Sequence, residues 1–222
     1  MDLDPMLRFL KQQGSALGSL ISHLTQSQQK ELLADLNYLN MQEIKRFCRL
    51  HDLPLNIHAE YKKGVLKKTS ELDRKGVVLD RVRTYLKSGK VPGPSVIANK
   101  MIAQKVPAKI DGKTPLLFGL YKNREAKVLK VLQEITGGKF RFGALAQELS
   151  REIWIQGKKM SFAAFGKLWL KETASTDKVH PEWAFLTDLS AGTAGKDWKA
   201  LRQKKAKAVM AELNKIPVPT KY

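Results

Sequence analysis

Helical spacing of apolar residues is the feature that most limits what this chain can fold into. Short segments carry apolar side chains three and four positions apart, and glycine or proline separates most of them. No stretch shows the sustained apolar and polar alternation of a half-buried strand. The sequence therefore predicts an all-α protein of many short helices, without an internal repeat.

The helix boundaries follow from stop signals and caps. Asn40 with Glu43 three residues later forms a capping-box signature, and Ser27 can cap the helix before it. Residues 55–72 are polar and have no clear period, which predicts a loop or a partly disordered insertion. We predict helices over 5–13, 27–36, 41–51, 73–86, 95–105, 123–135, 142–155, 161–171 and 195–214.

Charge divides the chain into a neutral beginning and a strongly basic remainder. Lys and Arg number 40 and Asp and Glu number 21, which gives a formal net charge of +19. Residues 1–40 carry 3 basic and 4 acidic side chains, whereas residues 41–110 carry 16 and 6. A positive field of this size attracts polyanions, so the charge predicts a nucleic acid as the partner.

Cysteine usage and hydropathy limit the compartment. Cys48 is the one cysteine in the 222 residues, so neither an internal disulfide nor a cysteine cage for zinc can form. We expect a reducing, intracellular location such as the cytoplasm, nucleoid or nucleus. The start, Met1-Asp2-Leu3-Asp4, is acidic where a signal peptide is basic. No apolar run approaches about 18 residues, so no membrane span or membrane partner is predicted.

Composition shifts predict four parts. The first is a set of near-neutral helices that can form a dimer or partner face, and the second is a basic helix–loop–helix region. A linker and a basic helical domain follow, and the domain contains three helices spaced as in a small tri-helical bundle. The four parts cover residues 1–39, 40–110, 111–122 and 123–222.

A pair of helices with a basic step between them lies in residues 40–90. The first helix contains Ile44-Lys45 and ends at Asp52-Leu53-Pro54. The second follows Arg74-Lys75 and contains Arg81-Val82. This pattern resembles the SAP domain, a small helix–loop–helix DNA-binding module, over about a quarter of the chain.

The resemblance implies binding to duplex DNA, often AT-rich, with little base specificity. Asp52 and Asp73 stand where the family has glycine, and about fifteen residues are inserted between the helices. Independently of the family, Lys and Arg side chains contact phosphates and release counterions. The residues that we assign to DNA contact are Lys45, Arg49, Arg74, Lys75, Arg81, Arg83, Lys87, Lys158, Lys159, Arg202, Lys204 and Lys205. The alternative for Arg81 is an ion pair with a carboxylate such as Glu43.

Three rival functions stay open. One is an RNA-binding or ribosome-associated protein, and another is an adaptor that binds a protein partner through residues 1–39. The third is a metal-dependent nuclease, because Asp73-Arg74-Lys75 has the acid-x-Lys ending of some nuclease sites. That site needs further carboxylates for Mg²⁺, and none is obviously placed. We therefore predict a non-enzymatic protein with no cofactor and no metal site.

Other motifs favour a structural role. Gly112-Lys113-Thr114 resembles the end of a phosphate-binding loop, but Pro107 stands where that loop needs glycine. The spacing of Cys48, His51 and His58 fits no zinc pattern, and a core cysteine is predicted. A helix-turn-helix would place residues 161–171 in a groove. The aromatic residues of that helix, Phe162, Phe165 and Trp169, favour a core instead.

Overall fold

Two units, each with its own hydrophobic core, share the chain in alternating segments. The computed structural model describes residues 18–121, 126–175 and 194–219. Within them, unit 1 contains residues 18–55, 73–93 and 194–219. Unit 2 contains residues 56–72, 94–121 and 126–175. The predicted helix over 5–13 lies outside the described residues.

Unit 1 is helical. Its elements are α1 (Gln26–Asp35), a 3-10 helix (Leu36–Tyr38), α2 (Met41–Leu50), α3 (Lys75–Ser88) and α7 (Ala194–Leu213). The capping box at Asn40 is confirmed: its side-chain oxygen accepts from the Glu43 N–H at 2.9 Å, and Glu43 accepts from the Asn40 N–H at 2.7 Å. The cap of α1 is Thr25 with Gln28 rather than Ser27.

The core of unit 1 joins one face of α2 to one face of α3. Ile44, Phe47 and Cys48 of α2 are buried, which confirms the predicted core cysteine. Residues 20–23 form a turn, and Ile21 packs into this core. The buried members of this core from α3 and α7 are Val78, Leu79, Val82, Tyr85, Leu86, Ala206, Val209 and Leu213.

Unit 2 overturns the all-α prediction, because it contains a three-stranded sheet. β1 (Asn56–Lys62) pairs antiparallel with β2 (Val65–Leu72) and parallel with β3 (Val96–Ile97). The stretch predicted as a loop is therefore a β-hairpin. Alternation is present in β1, where Ile57 and Ala59 are buried, but it is too short to stand out in the sequence. β2 shows no alternation because most of its side chains are exposed.

The helix predicted over 95–105 is also wrong. The Ser95 carbonyl accepts from the His58 N–H at 2.8 Å, which continues the sheet beside β3. A short 3-10 helix, Asn99–Met101, follows the strand. Local spacing suggested a helix because Ile97 and Met101 are four residues apart, but both are buried through contacts made far along the chain.

Three further helices complete unit 2, as predicted for the C-terminal part. They are α4 (Ala126–Ile135), α5 (Ala144–Ile155) and α6 (Phe162–Ala174). Phe162, Phe165 and Trp169 of α6 are buried, so this helix uses its aromatic residues for packing. Across the described ranges of the chain, no helix has both the length and the apolar character needed to cross a bilayer.

A buried histidine links α2 to α3 in unit 1. His51 is 1% exposed, and its Nδ1 lies 3.2 Å from the Tyr85 hydroxyl. Its ring also packs against Phe47, with 4.3 Å between the ring centroids. Burial lowers the pKa of His51 below its ordinary value, and the charge of Asp52 opposes that shift. The folded state therefore favours the neutral imidazole.

This histidine predicts a pH dependence of stability. The free energy of unfolding is expected to fall as the pH drops below about 6.5, because the unfolded chain binds a proton at His51 that the folded chain resists. Above that pH the contribution is constant. Urea denaturation across the range should show a shallower fall for His51→Gln than for His58→Gln. Equal slopes in the two variants would contradict the assignment.

Candidate nucleic-acid interface

Arg81 lies inside unit 1 and is held by a buried acid. Its Nη1 is 2.7 Å from Oδ2 of Asp73, and the two side chains are 8% and 2% exposed. The guanidinium also donates to the carbonyls of Pro54, at 2.9 Å, and Gly93, at 3.2 Å. Arg81 therefore closes the fold, which is the alternative given above, but its partner is Asp73 rather than Glu43. It is not presented to a DNA strand.

Two more of the predicted residues converge on Asn37. Arg83 donates to the Asn37 side chain at 3.0 Å and to the Leu33 carbonyl at 3.2 Å. It also forms an ion pair with Asp80 at 2.7 Å. Lys75 donates to the Asn37 carbonyl at 2.6 Å. These contacts anchor α3 to the end of α1, so both side chains contribute to the fold of unit 1.

The basic residues of α7 are divided between structure and surface. Arg202 pairs with Glu43, the capping residue of α2. Lys205 donates to Asp35 at 2.7 Å and to Glu31 at 3.0 Å. These hydrogen bonds, that to Asp35 first, raise the pKa of Lys205. Both cations therefore tie α7 to the N-terminal helices.

The other predicted cations of unit 1 remain at the surface. Lys45 is half-buried on the outer side of α2, and Arg49 is exposed one turn later. Arg46, which is not among the residues predicted to contact DNA, lines a groove of about 350 Å³ with Arg202, Lys207 and Glu43. The exposed residues on other elements are Arg74, Lys87 and Lys204.

The hairpin of unit 2 carries a dense group of cations that was assigned to a loop. All eight residues from Tyr61 to Lys68 are exposed. Four of them are lysines, namely Lys62, Lys63, Lys67 and Lys68. We call these eight residues the hairpin tip. The ammonium of Lys67 lies 5.8 Å from the centroid of the Tyr61 ring. The paired lysines were visible in the sequence, but the turn between them was not.

The turn at the end of the tip has its own geometric requirement. Gly64 adopts φ 76°, a left-handed conformation that favours glycine, and Lys62 pairs with Val65 across it. The Gly64 N–H donates to Glu60 at 2.9 Å, so this acid is engaged by the hairpin itself. The glutamate at the base of the hairpin, Glu71, pairs with Arg151.

Lys158 and Lys159 are exposed in the turn that follows α5 in unit 2. Within residues 18–121, 126–175 and 194–219, no group of three His, Cys, Asp or Glu side chains is arranged to hold a metal ion.

Comparison with family models, curated proteins and solved structures finds no match to this chain.

The buried pair predicts a large difference between two similar substitutions. Asp73→Asn should lower the free energy of unfolding by about 3 kcal/mol or more, because it leaves the Arg81 charge buried without its partner. Asp80→Asn removes the exposed partner of Arg83 and should cost less than about 1 kcal/mol. Urea denaturation of both variants measures the difference. Similar small losses would show that Arg81 is solvated rather than paired.

Proposed function

We propose that this protein is a non-enzymatic DNA-binding protein that holds duplex DNA by its phosphates with low sequence specificity. The hairpin tip is the observation that carries the proposal. It presents four lysines, and of the acids nearest in sequence Glu71 pairs with Arg151, whereas Glu60 accepts a hydrogen bond from the Gly64 N–H of the tip. An exposed, concentrated positive charge of this kind binds a polyanion mainly through counterion release.

The shape of the tip supports duplex DNA as the polyanion. The major groove of B-form DNA is wide enough to admit a two-stranded β-ribbon. In A-form RNA the major groove is deep and narrow, and side chains cannot enter it in the same way. Tyr61, Val65 and Leu66 of the tip are 44%, 47% and 46% exposed, so they can make apolar contacts with sugars or base edges. The ribbon therefore favours DNA over RNA.

A second surface, in unit 1, is compatible with the SAP-like interpretation. The SAP-like pattern falls on α2 and α3, which pack against each other. Arg46 and Arg49 lie on the exposed side of α2, and Lys45 is half-buried at the edge of that side. We propose that they add phosphate contacts. The buried Arg81 has no part in this surface.

Neutralising the tip tests the proposal. The variant Lys62→Gln/Lys63→Gln/Lys67→Gln/Lys68→Gln should weaken binding to duplex DNA. The slope of log affinity against log salt should become shallower by about 0.9 for each lysine that contacts a phosphate. Fluorescence anisotropy at several salt concentrations measures both quantities.

The matched control removes the same charge elsewhere in unit 2. Its substitutions, all at exposed positions, are Lys127→Gln, Lys130→Gln, Lys139→Gln and Lys171→Gln. A separate Lys45→Gln/Arg49→Gln variant measures the α2 surface. An equal effect of the tip and control variants would reject the tip as the binding element. Tighter binding to duplex RNA than to duplex DNA would reject DNA as the ligand.

A further inference from the structure

Unit 2 contains a second basic site, separate from the hairpin tip. A pocket of about 440 Å³ is lined by three lysines, Lys100, Lys113 and Lys159, and among the described residues that line it none is acidic. Its remaining walls are mostly apolar. They are formed by Met101, Pro115, Leu116, Leu117 and Met160, with Ser161 at the start of α6.

The backbone fixes the segments that carry the three lysines. The Leu116 N–H donates to the Met160 carbonyl at 2.8 Å, which joins the Lys113 segment to the Lys159 segment. The Phe118 N–H donates to the Met101 carbonyl at 2.8 Å, which joins the Lys113 segment to the 3-10 helix that contains Lys100. The convergence of the lysines is therefore a property of the fold.

Gly157, which has no side chain, allows the Lys100 side chain to lie close to the backbone. A Cβ atom at Gly157 would lie 2.9 Å from Cε of Lys100 and 3.1 Å from its Nζ. Gly157 also adopts φ 64°, which favours glycine. Gly157 lies two residues before Lys159. The Lys100 ammonium therefore lies beside the segment that carries Lys159.

The Lys113 position has a local support of its own. Asp111 accepts hydrogen bonds from the N–H groups of Lys113, at 2.9 Å, and Thr114, at 3.1 Å. The hydroxyl of Thr114 lies 3.1 Å from the same carboxylate. The Gly112-Lys113-Thr114 step is thus an aspartate-stabilised turn and not a phosphate-binding loop, as Pro107 predicted. Asp111, the acid nearest to Lys113 in sequence, is hydrogen-bonded within that turn.

We propose that this pocket binds a phosphate monoester attached to an apolar or planar body, as in a nucleotide. Three positive charges around one space repel one another, and a phosphate dianion would relieve that repulsion with charge-assisted hydrogen bonds. Apolar walls favour a ligand that carries a nucleobase over inorganic phosphate alone. The volume falls in the range of small-molecule sites. The same chemistry is offered by a free nucleotide and by the 5′-phosphate end of a DNA strand.

Calorimetric titration of the full chain tests this site. The probes are AMP and one single-stranded oligonucleotide made with either a 5′-phosphate or a 5′-hydroxyl. For the phosphate probes, Lys113→Gln/Lys159→Gln should raise Kd by at least about tenfold, because each lysine supplies a charged hydrogen bond. The matched control, Lys127→Gln/Lys130→Gln, removes the same charge from exposed positions on α4 and should change Kd by less than about twofold.

The probes separate a free nucleotide from a DNA strand end as the source of the phosphate. They also separate the pocket from the proposed binding of duplex DNA. AMP binding that depends on the pocket identifies a free nucleotide as sufficient. A pocket-dependent preference for the 5′-phosphate oligonucleotide, without AMP binding, identifies a strand end. The site would be overturned if the wild-type protein bound neither AMP nor the 5′-phosphate oligonucleotide more tightly than the 5′-hydroxyl oligonucleotide. Equal losses of affinity in the two double variants would also overturn it. Duplex DNA with 5′-hydroxyl ends reports on the proposed function alone, since it offers the pocket no monoester.

Discussion

The buried guanidinium of Arg81 is the interaction on which the arrangement of unit 1 depends. The chain leaves this unit after Leu55, returns at Asp73 and leaves again after Gly93. Arg81 bonds to Asp73, to the Gly93 carbonyl and to the carbonyl of Pro54, beside the first exit. One side chain therefore holds the chain where it first leaves unit 1, where it re-enters at Asp73 and where it leaves again, and a charge buried this deeply is costly unless each of its donors has a partner.

The cations of the chain serve two physical purposes. Those that meet acids or carbonyls, such as Arg83, Arg202 and Lys205, connect helices within unit 1. The four lysines of the hairpin tip are exposed, and the acid beside them, Glu60, bonds to the Gly64 N–H. An excess of positive charge in the sequence does not show which purpose a residue serves. The position of each acid decides it.

Local signals predicted the helical part well. The capping box at Asn40 and the extent of α2, predicted over 41–51, depend on neighbours within a few residues. The hairpin was missed because Val65 and Leu66 are exposed, so β2 has no apolar face to reveal a strand. Likewise, no rule of spacing pairs Arg81 with Asp73 rather than with Glu43. The tertiary fold determines those partners, and a single sequence does not reveal its tertiary contacts.

The alternation of segments has a consequence for synthesis on the ribosome. The core of unit 1 includes Val209, Leu213 and Ile216 of the C-terminal segment, whereas the described helices of unit 2 end at Ala174. Unit 2 can therefore finish folding while α1, α2 and α3 still wait for their last packing partner. During that interval the apolar side of α1 that α7 later covers is open to solvent.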